Sequence, residues 1–328
     1  MKYRLLGKTG LKVSEISLGT WQVGGGWGGA FDEKAAHRII NSAIDQGVNF
    51  LDTADVYDNG ASEKAVGRVL KERSEEIYVA SKCGRQISPH VSEGYTPEAL
   101  RAYVEASLKN MQLESLDLIQ LHCPPSEVYY RDEIFELFDR LIGEGKIRHF
   151  GVSVEKVSEA MQAIKYPNVS TVQIIFNMFR QKPLEMFFAE AKKNNIGIIA
   201  RVPLASGLLT GKMDSSITFD KNDHRDFNRN GEAFDKGETF SGVDFELGLK
   251  AVEELKPVFA GNATLASWAL RWILMFEQVS TVIPGASKVE QVESNVNAGQ
   301  LSPLSSDQME KVKDVYNAYI KPTVHHLW

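Results

Sequence analysis

Cysteine is nearly absent from this 328-residue chain, with Cys83 and Cys123 the only two. Two cysteines cannot build a disulfide framework, and their separation fits no zinc-binding spacing. Long apolar runs are missing as well. No stretch approaches the ~18 residues of a membrane span, and the N-terminal MKYRLLGKTGLKVSEIS lacks the apolar centre of a secretion signal. Runs of five or more like charges are lacking and the formal charge is only −6, which argues against nucleic-acid or polyanion binding. No proline- or serine-rich linker and no shift of composition divides the chain. These absences leave a soluble, cytoplasmic protein, expected as a single domain over 1–328. Its 43% hydrophobic and 24% charged content is ordinary for a globular fold.

What is present is a rhythm. YRLL and LKVS flank the turn GKTG and predict an N-terminal β-hairpin. Eight short apolar runs follow: ISLGT, VNFLDT, EEIYVASK, LDLIQLH, IRHFGVS, VSTVQIIFN, IGIIARVP and VSTVIPG. Each precedes an amphipathic stretch with helix punctuation, such as Asp32 before EKAAHRIINSAIDQG and Thr96-Pro97-Glu98 at another helix start. The seventh unit is irregular, with a polar segment over about 210–244 before two helices. Eight βα units in roughly 300 residues predict an α/β fold, a (β/α)₈ TIM barrel with a long loop after strand 7.

One motif points elsewhere. GGGWGG satisfies G-x-G-x-x-G at Gly24, Gly26 and Gly29, and Asp52 closes the next strand, the layout of a dinucleotide-binding turn with its ribose acid. Thr20, Trp21, Gln22 and Val23 intervene between strand and glycines, however. Five glycines in six residues match many patterns, and eight units exceed the six strands of a doubly wound sheet. The glycines are read as a mobile connection at a pocket rim.

Functional groups of a (β/α)₈ barrel gather at the C-terminal ends of its strands. Strand 2 ends in Asp52 with Tyr57 just beyond, strand 3 in Lys82 and strand 4 in His122. Singly, each has a bland explanation: a turn cap, a cover for apolar surface, a solvated strand end, a rim histidine. Their register on three consecutive strands is harder to dismiss. A phenol has a pKa near 10, and an adjacent ammonium favours the phenolate. Lys82 is expected to lower the pKa of Tyr57, Asp52 to hold Lys82, and His122 to bond the phenol or a substrate oxygen. That set suits protonation of a developing alkoxide. No metal cluster and no activated Ser or Cys nucleophile competes, so a hydride-donating cofactor is the natural partner. Asp55 is left as a turn-stabilising side chain, and Cys83 and Cys123 as small packing residues beside the site.

In order, LDTADVY, VASK, LIQLH, GVS, VQIIFN and VIPGASKVEQVESN resemble the motifs of the aldo-keto reductases across essentially the whole chain, in their bacterial, potassium-channel-β-like branch. The resemblance implies an NADPH-dependent (β/α)₈ oxidoreductase that reduces an aldehyde or ketone to an alcohol. It assigns the catalytic tetrad to Asp52, Tyr57, Lys82 and His122. Gly19, Thr20 and Trp21 match the strand where nicotinamide and substrate lie, and Ser153 and Gln173 the residues that hold the carboxamide. Pro203, Leu204, Gly207, Leu208 and Lys212 match the segment along the pyrophosphate. Gly285, Ser287, Lys288, Gln291 and Asn295 match the adenosine end, where a helix start and a cation favour a 2′-phosphate. Three positions depart from the pattern. Val154 replaces an Asn, Ser294 a commonly acidic residue, and Arg201 the aromatic that stacks on the nicotinamide.

Some readings stay open. The 210–244 segment is either a solvated insertion or a lid that brings Arg225 to a phosphate. The chain could bind NADPH without turning it over, as an interaction module. Lys82 could instead form a Schiff base, which requires a neutral amine beside Asp52. The substrate pocket is expected from Trp21, Trp27, Tyr57, His122, Tyr129 and the tail VHHLW, for a small carbonyl or alcohol compound. Its identity and the oligomeric state are not legible.

Overall fold

The computed structural model describes residues 1–25, 30–259, 261 and 263–328. Two short strands, β1 (Tyr3–Leu5) and β2 (Lys12–Ser14), form the expected antiparallel hairpin. Eight more follow: β3 (Leu18–Gly19), β4 (Phe50–Asp52), β5 (Tyr78–Cys83), β6 (Leu116–His122), β7 (Ile147–Val154), β8 (Val169–Ile175), β9 (Gly197–Arg201) and β10 (Val279–Val282). Each pairs in parallel with its sequence neighbour, giving one eight-stranded sheet in the order β3 to β10. The two edges meet through parallel bridges, Ile16 with Val282 and Gly19 with Gly285. The architecture is therefore α/β, a parallel sheet curled on itself and surrounded by helices, in the manner of a TIM barrel.

The sequence explains both faces of that sheet. All seven residues of VSTVQII in β8 are buried, as a parallel strand covered on both sides requires. Inside the curl, Phe50, Tyr78, Ala80, Leu118, Ile199 and Ile283 pack with Leu6, Leu11 and Val13 of the hairpin. The hairpin thus plugs the N-terminal end of the sheet. Gly7 makes this plug possible: its φ is +54°, and a Cβ there would lie 2.1 Å from the Gly197 nitrogen.

Outside, the first helices are α1 (Glu33–Asp45), α2 (Ala61–Glu72), α3 (Pro97–Met111), α4 (Asp132–Gly143), α5 (Val157–Ala163) and α6 (Phe187–Lys193). Asp32 caps α1 as expected, accepting from the Lys34 and Ala35 amides. Its buried stripe is Ala36, Ile39, Ile40, Ala43 and Ile44, spaced three and four apart. Thr96 likewise caps α3 with Pro97 in its first turn.

The segment between β9 and the later helices is not a plain solvated insertion. It winds through one short helix, α7 (His224–Phe227), and several tight turns, with His224, Asn228, Phe240 and Ser241 buried. The Asn228 side-chain oxygen accepts from the Ala233 and Phe234 amides, both at 2.8 Å, and so holds the bend from within. Then come α8 (Phe245–Leu255), α9 (Leu265–Ile273), α10 (Val289–Ala298) and α11 (Ser306–Val315). Among the described residues no helix is long and apolar enough to cross a membrane.

Candidate active site

The C-terminal ends of β4, β5 and β6 deliver Asp52, Lys82 and His122 to one side of the curled sheet. They converge because adjacent parallel strands run in register, with Asp52 opposite Ala80 and Lys82 opposite Gln120. Lys82 is completely buried, and its Nζ donates to Asp52 Oδ1 at 2.5 Å, to the Thr53 carbonyl at 2.8 Å and to the Tyr57 hydroxyl at 3.1 Å. All three ammonium donors are accounted for. The Tyr57 ring stands edge-on to His122, with centroids 6.0 Å apart, and lies parallel to Trp21 at 6.0 Å.

Burial sets the protonation states. It acts to lower the Lys82 pKa, but Asp52 and Tyr57 outweigh it and leave the ammonium raised above its usual value. Such a lysine is not the neutral amine that Schiff-base chemistry needs. Tyr57 departs from the expected direction. Lys82 does pull its pKa down, yet burial, the larger effect, holds the phenol above 10. His122 is pushed well below the ordinary imidazole range, first by burial and then by Lys82, Arg85 and Arg201. It is neutral at pH 7, and its Nδ1 is buried with no hydrogen-bond partner.

Two glutamines complete the constellation. Gln173 Nε2 donates to Asp52 Oδ2 at 2.7 Å, and Gln120 Nε2 does so at 3.3 Å. The side-chain amide nitrogen of Gln173 thus faces the aspartate while the residue lines the cavity above. Gln120 was missed in the sequence, although it stands two residues before His122 on β6 and therefore shares its face.

Above these groups opens a cavity of about 860 Å³. Gly19, Thr20, Trp21, Asp52, Tyr57, His122, Gln173 and Arg201 line the reacting end. Pro203, Leu204, Gly207, Lys212 and Arg225 continue the lining, with Gly285, bridged to Gly19, and Ser287, Gln291 and Asn295. Of the other expected residues, Ser153, Leu208, Lys288 and Tyr129 do not line it. Ser153 is buried behind Cys123, and Leu208 packs in the main core. Lys288 sits exposed at the N-cap of α10. Tyr129 is fully buried, its hydroxyl spent on the Ser153 carbonyl, because the turn after β6 folds inward. Trp27 and two of the three motif glycines, Gly26 and Gly29, lie outside the described residues. Within the tail VHHLW, Trp328 is buried under the Arg180 guanidinium at 4.3 Å.

The cavity wall also contains residues with no local signal in the sequence. Arg85, His224, Phe234 and Glu238 all line it. Arg201 bridges strand and loop: its Nη1 lies 3.2 Å from Glu238 Oε1, and its Nη2 donates to the Val154 carbonyl at 3.0 Å. Cys123, Glu155 and Glu238 bring ligand-type atoms within 4.8 Å of one another. Arg201 already pairs with Glu238, and Arg85 with Glu155 at 3.4 Å. Arg225 is turned onto Asp223, 2.5 Å away, with its guanidinium 4.5 Å over the Phe219 ring.

Comparison with known proteins identifies the class. The aldo/keto reductase family matches residues 15–317, and the chain belongs to that family of oxidoreductases. It is 32% identical to the Bacillus subtilis aldo-keto reductase YhdN over 90% of this chain and 87% of that one. The solved glycerol dehydrogenase of Gluconobacter oxydans is similar at 31% identity and a TM-score of 0.78, over 97% of this chain and 96% of that one. A Klebsiella pneumoniae aldo-keto reductase solved with NADPH shares the fold, with a TM-score of 0.70 at 21% identity over 96% of this chain and 95% of that one.

Proposed function

We propose that the whole chain, 1–328, is one closed (β/α)₈ catalytic unit that reduces an aldehyde or ketone to an alcohol with NADPH. The observation that carries this reading is Lys82 Nζ, bonded at once to Asp52 and to the Tyr57 hydroxyl at the floor of a large cavity. The cavity fits such a cofactor. Gly19 keeps its wall close, since a Cβ there would lie 2.9 Å from the Ile283 carbonyl oxygen. Lys212 and Arg225 supply positive charge in its wall, and Ser287, Gln291 and Asn295 supply polar groups. Lys288, exposed at the start of α10 just outside the cavity lining, favours the 2′-phosphate and hence NADPH over NADH, against Glu290, which lines the cavity and carries the same sign of charge as the phosphate.

Bound there, the nicotinamide supplies a hydride. Tyr57 delivers the proton that the developing alkoxide takes up. Lys82 compensates the phenolate left behind, and Asp52, itself held by Gln173 and Gln120, keeps Lys82 in place. Neutral His122 orients the substrate oxygen by a hydrogen bond. Trp21, parallel to Tyr57, and Phe234 flank the carbonyl compound.

The test is the loss of NADPH absorbance with a panel of aldehydes and ketones. Tyr57→Phe should keep cofactor affinity and lose turnover by about 10²- to 10⁴-fold, the worth of a positioned general acid. Near-normal turnover in that variant would remove Tyr57 from the role. Tight NADPH binding with no turnover of any carbonyl would make the protein a cofactor-responsive binding module instead.

A further inference from the structure

The Arg201–Glu238 pair stands out among the groups that the catalytic tetrad does not use. Arg201 ends β9 and is 8% exposed. Its Nη1 meets Glu238, and its Nη2 is tied to the Val154 carbonyl and lies 3.4 Å from Cys123 Sγ. The guanidinium is therefore pinned in the cavity wall and cannot swing to solvent. Glu238 comes from the far side, in the segment after β9, and its backbone carbonyl is fixed by the Ser206 hydroxyl at 2.9 Å. Both side chains border the same space as Tyr57 and His122.

The proposed reduction would bring the charge-changing ring of the cofactor into the space that this pair borders. In the proposed reduction a C–H bond forms at the carbonyl carbon. The π pair moves to oxygen, which takes the Tyr57 proton, and departure of the hydride leaves a positive charge on the nicotinamide. Carbon and hydride donor must approach to about 3–3.5 Å, while the oxygen lies within hydrogen-bond reach of Tyr57. A ring bound to meet that substrate would share the cavity that Arg201 walls. A lone guanidinium there would oppose the oxidised ring and leave the reduced ring untouched, and a carboxylate beside it cancels that bias.

Resting on the NADPH reading above, we propose that Glu238 is a charge-compensating residue that sets the relative affinity for the oxidised and reduced cofactor. Without it, Arg201 would weaken binding of the oxidised form alone and so oppose hydride donation. The second pair, Arg85 with Glu155, is common to all variants below and cancels from their comparison.

The test is the ratio of dissociation constants for NADP⁺ and NADPH, titrated on the same protein without substrate. Glu238→Gln should raise that ratio tenfold or more, about 30 mV for a two-electron couple. Glu238→Asp should leave it at the wild-type value even if both affinities fall. The double variant Arg201→Met with Glu238→Gln should bring the ratio back to within about threefold of wild type. Equal weakening of both forms by Glu238→Gln would overturn the proposal and leave Glu238 a merely structural anchor. A wild-type protein that binds neither form would instead refute the nicotinamide reading itself, and this inference with it.

Discussion

The two ends of the cavity are built on opposite principles. At the end proposed for chemistry, Lys82 is entirely buried and Asp52 nearly so, and both are held by partners on other strands. At the end proposed for phosphate, Lys212 is exposed and Arg225 is partly so, its guanidinium parked on Asp223 within a loop segment. The first arrangement fixes reacting atoms before any ligand arrives, which is what orientation-dependent chemistry rewards. The second supplies charge on flexible stems, which suits an anion whose exact position matters less. Buried charge is costly unless paired, so the reacting end must be complete in the folded protein. Exposed charge is cheap and can wait.

Lys82→Met is expected to break this contrast most severely. It leaves Asp52 unpaired in the interior, which should cost about 3–5 kcal/mol of stability and most turnover. A denaturation midpoint close to wild type would show that the reacting end is not held by the pair. Asp55→Asn probes the same end through pH. No side chain hydrogen-bonds the buried Asp55 carboxylate, whereas neighbouring Glu63 accepts from Ser81 at 2.5 Å and Asn110 at 2.8 Å. Burial, and then the charge of Glu63, push the Asp55 pKa up to about 7, against the pull of the Val56 and Gly84 backbone and of Lys82.

The sign follows from the raised value. Protonated Asp55 is favoured in the fold, so its contribution is fully present below about pH 4 and is lost as pH rises through 7. The span is on the order of 4 kcal/mol. Asp55→Asn should therefore gain stability relative to wild type from about pH 4 to pH 7 and level off above that in urea titrations. A pH-independent difference would contradict the raised pKa of the buried carboxyl.

The smallest effect belongs to the other end. Arg225→Ala should weaken NADPH binding by roughly 1–2 kcal/mol, the loss of a partly exposed charge-assisted contact. Folding should change little, and the defect should shrink at high salt. Unchanged affinity would leave Arg225 as a partner of Asp223 alone and remove the segment after β9 from phosphate binding.

Much of this contrast was legible in the residues. The eight apolar runs became eight strands because a parallel strand covered on both faces must be apolar throughout. Asp52, Lys82 and His122 could be placed together because consecutive parallel strands end side by side. The helix caps at Asp32 and Thr96 are local events, settled by side chains within three residues of the backbone they satisfy. What failed was anything that depends on how a loop returns. Tyr129 was expected at a pocket and is instead buried, since the turn after β6 folds inward. The segment after β9 read as either a solvated insertion or a lid, and its sequence did not show that Asn228, His224 and Phe240 give it an interior of its own. The expected lowering of the Tyr57 pKa failed for a related reason. The pairwise pull of Lys82 can be inferred from adjacency, but desolvation depends on every atom packed around the phenol.

The sequence by itself determined the alternation of strands and helices, the caps, and which carboxylate, ammonium, phenol and imidazole share the rim. These follow from periodicity and register, which are properties of short stretches. Only the tertiary structure decided that Glu238 meets Arg201, that Gln120 and Gln173 both serve Asp52, and that Asp55 is sealed without a side-chain partner. Such pairings join residues dozens of positions apart. No local rule governs them, because each depends on the closing of the sheet and the path of a long return segment.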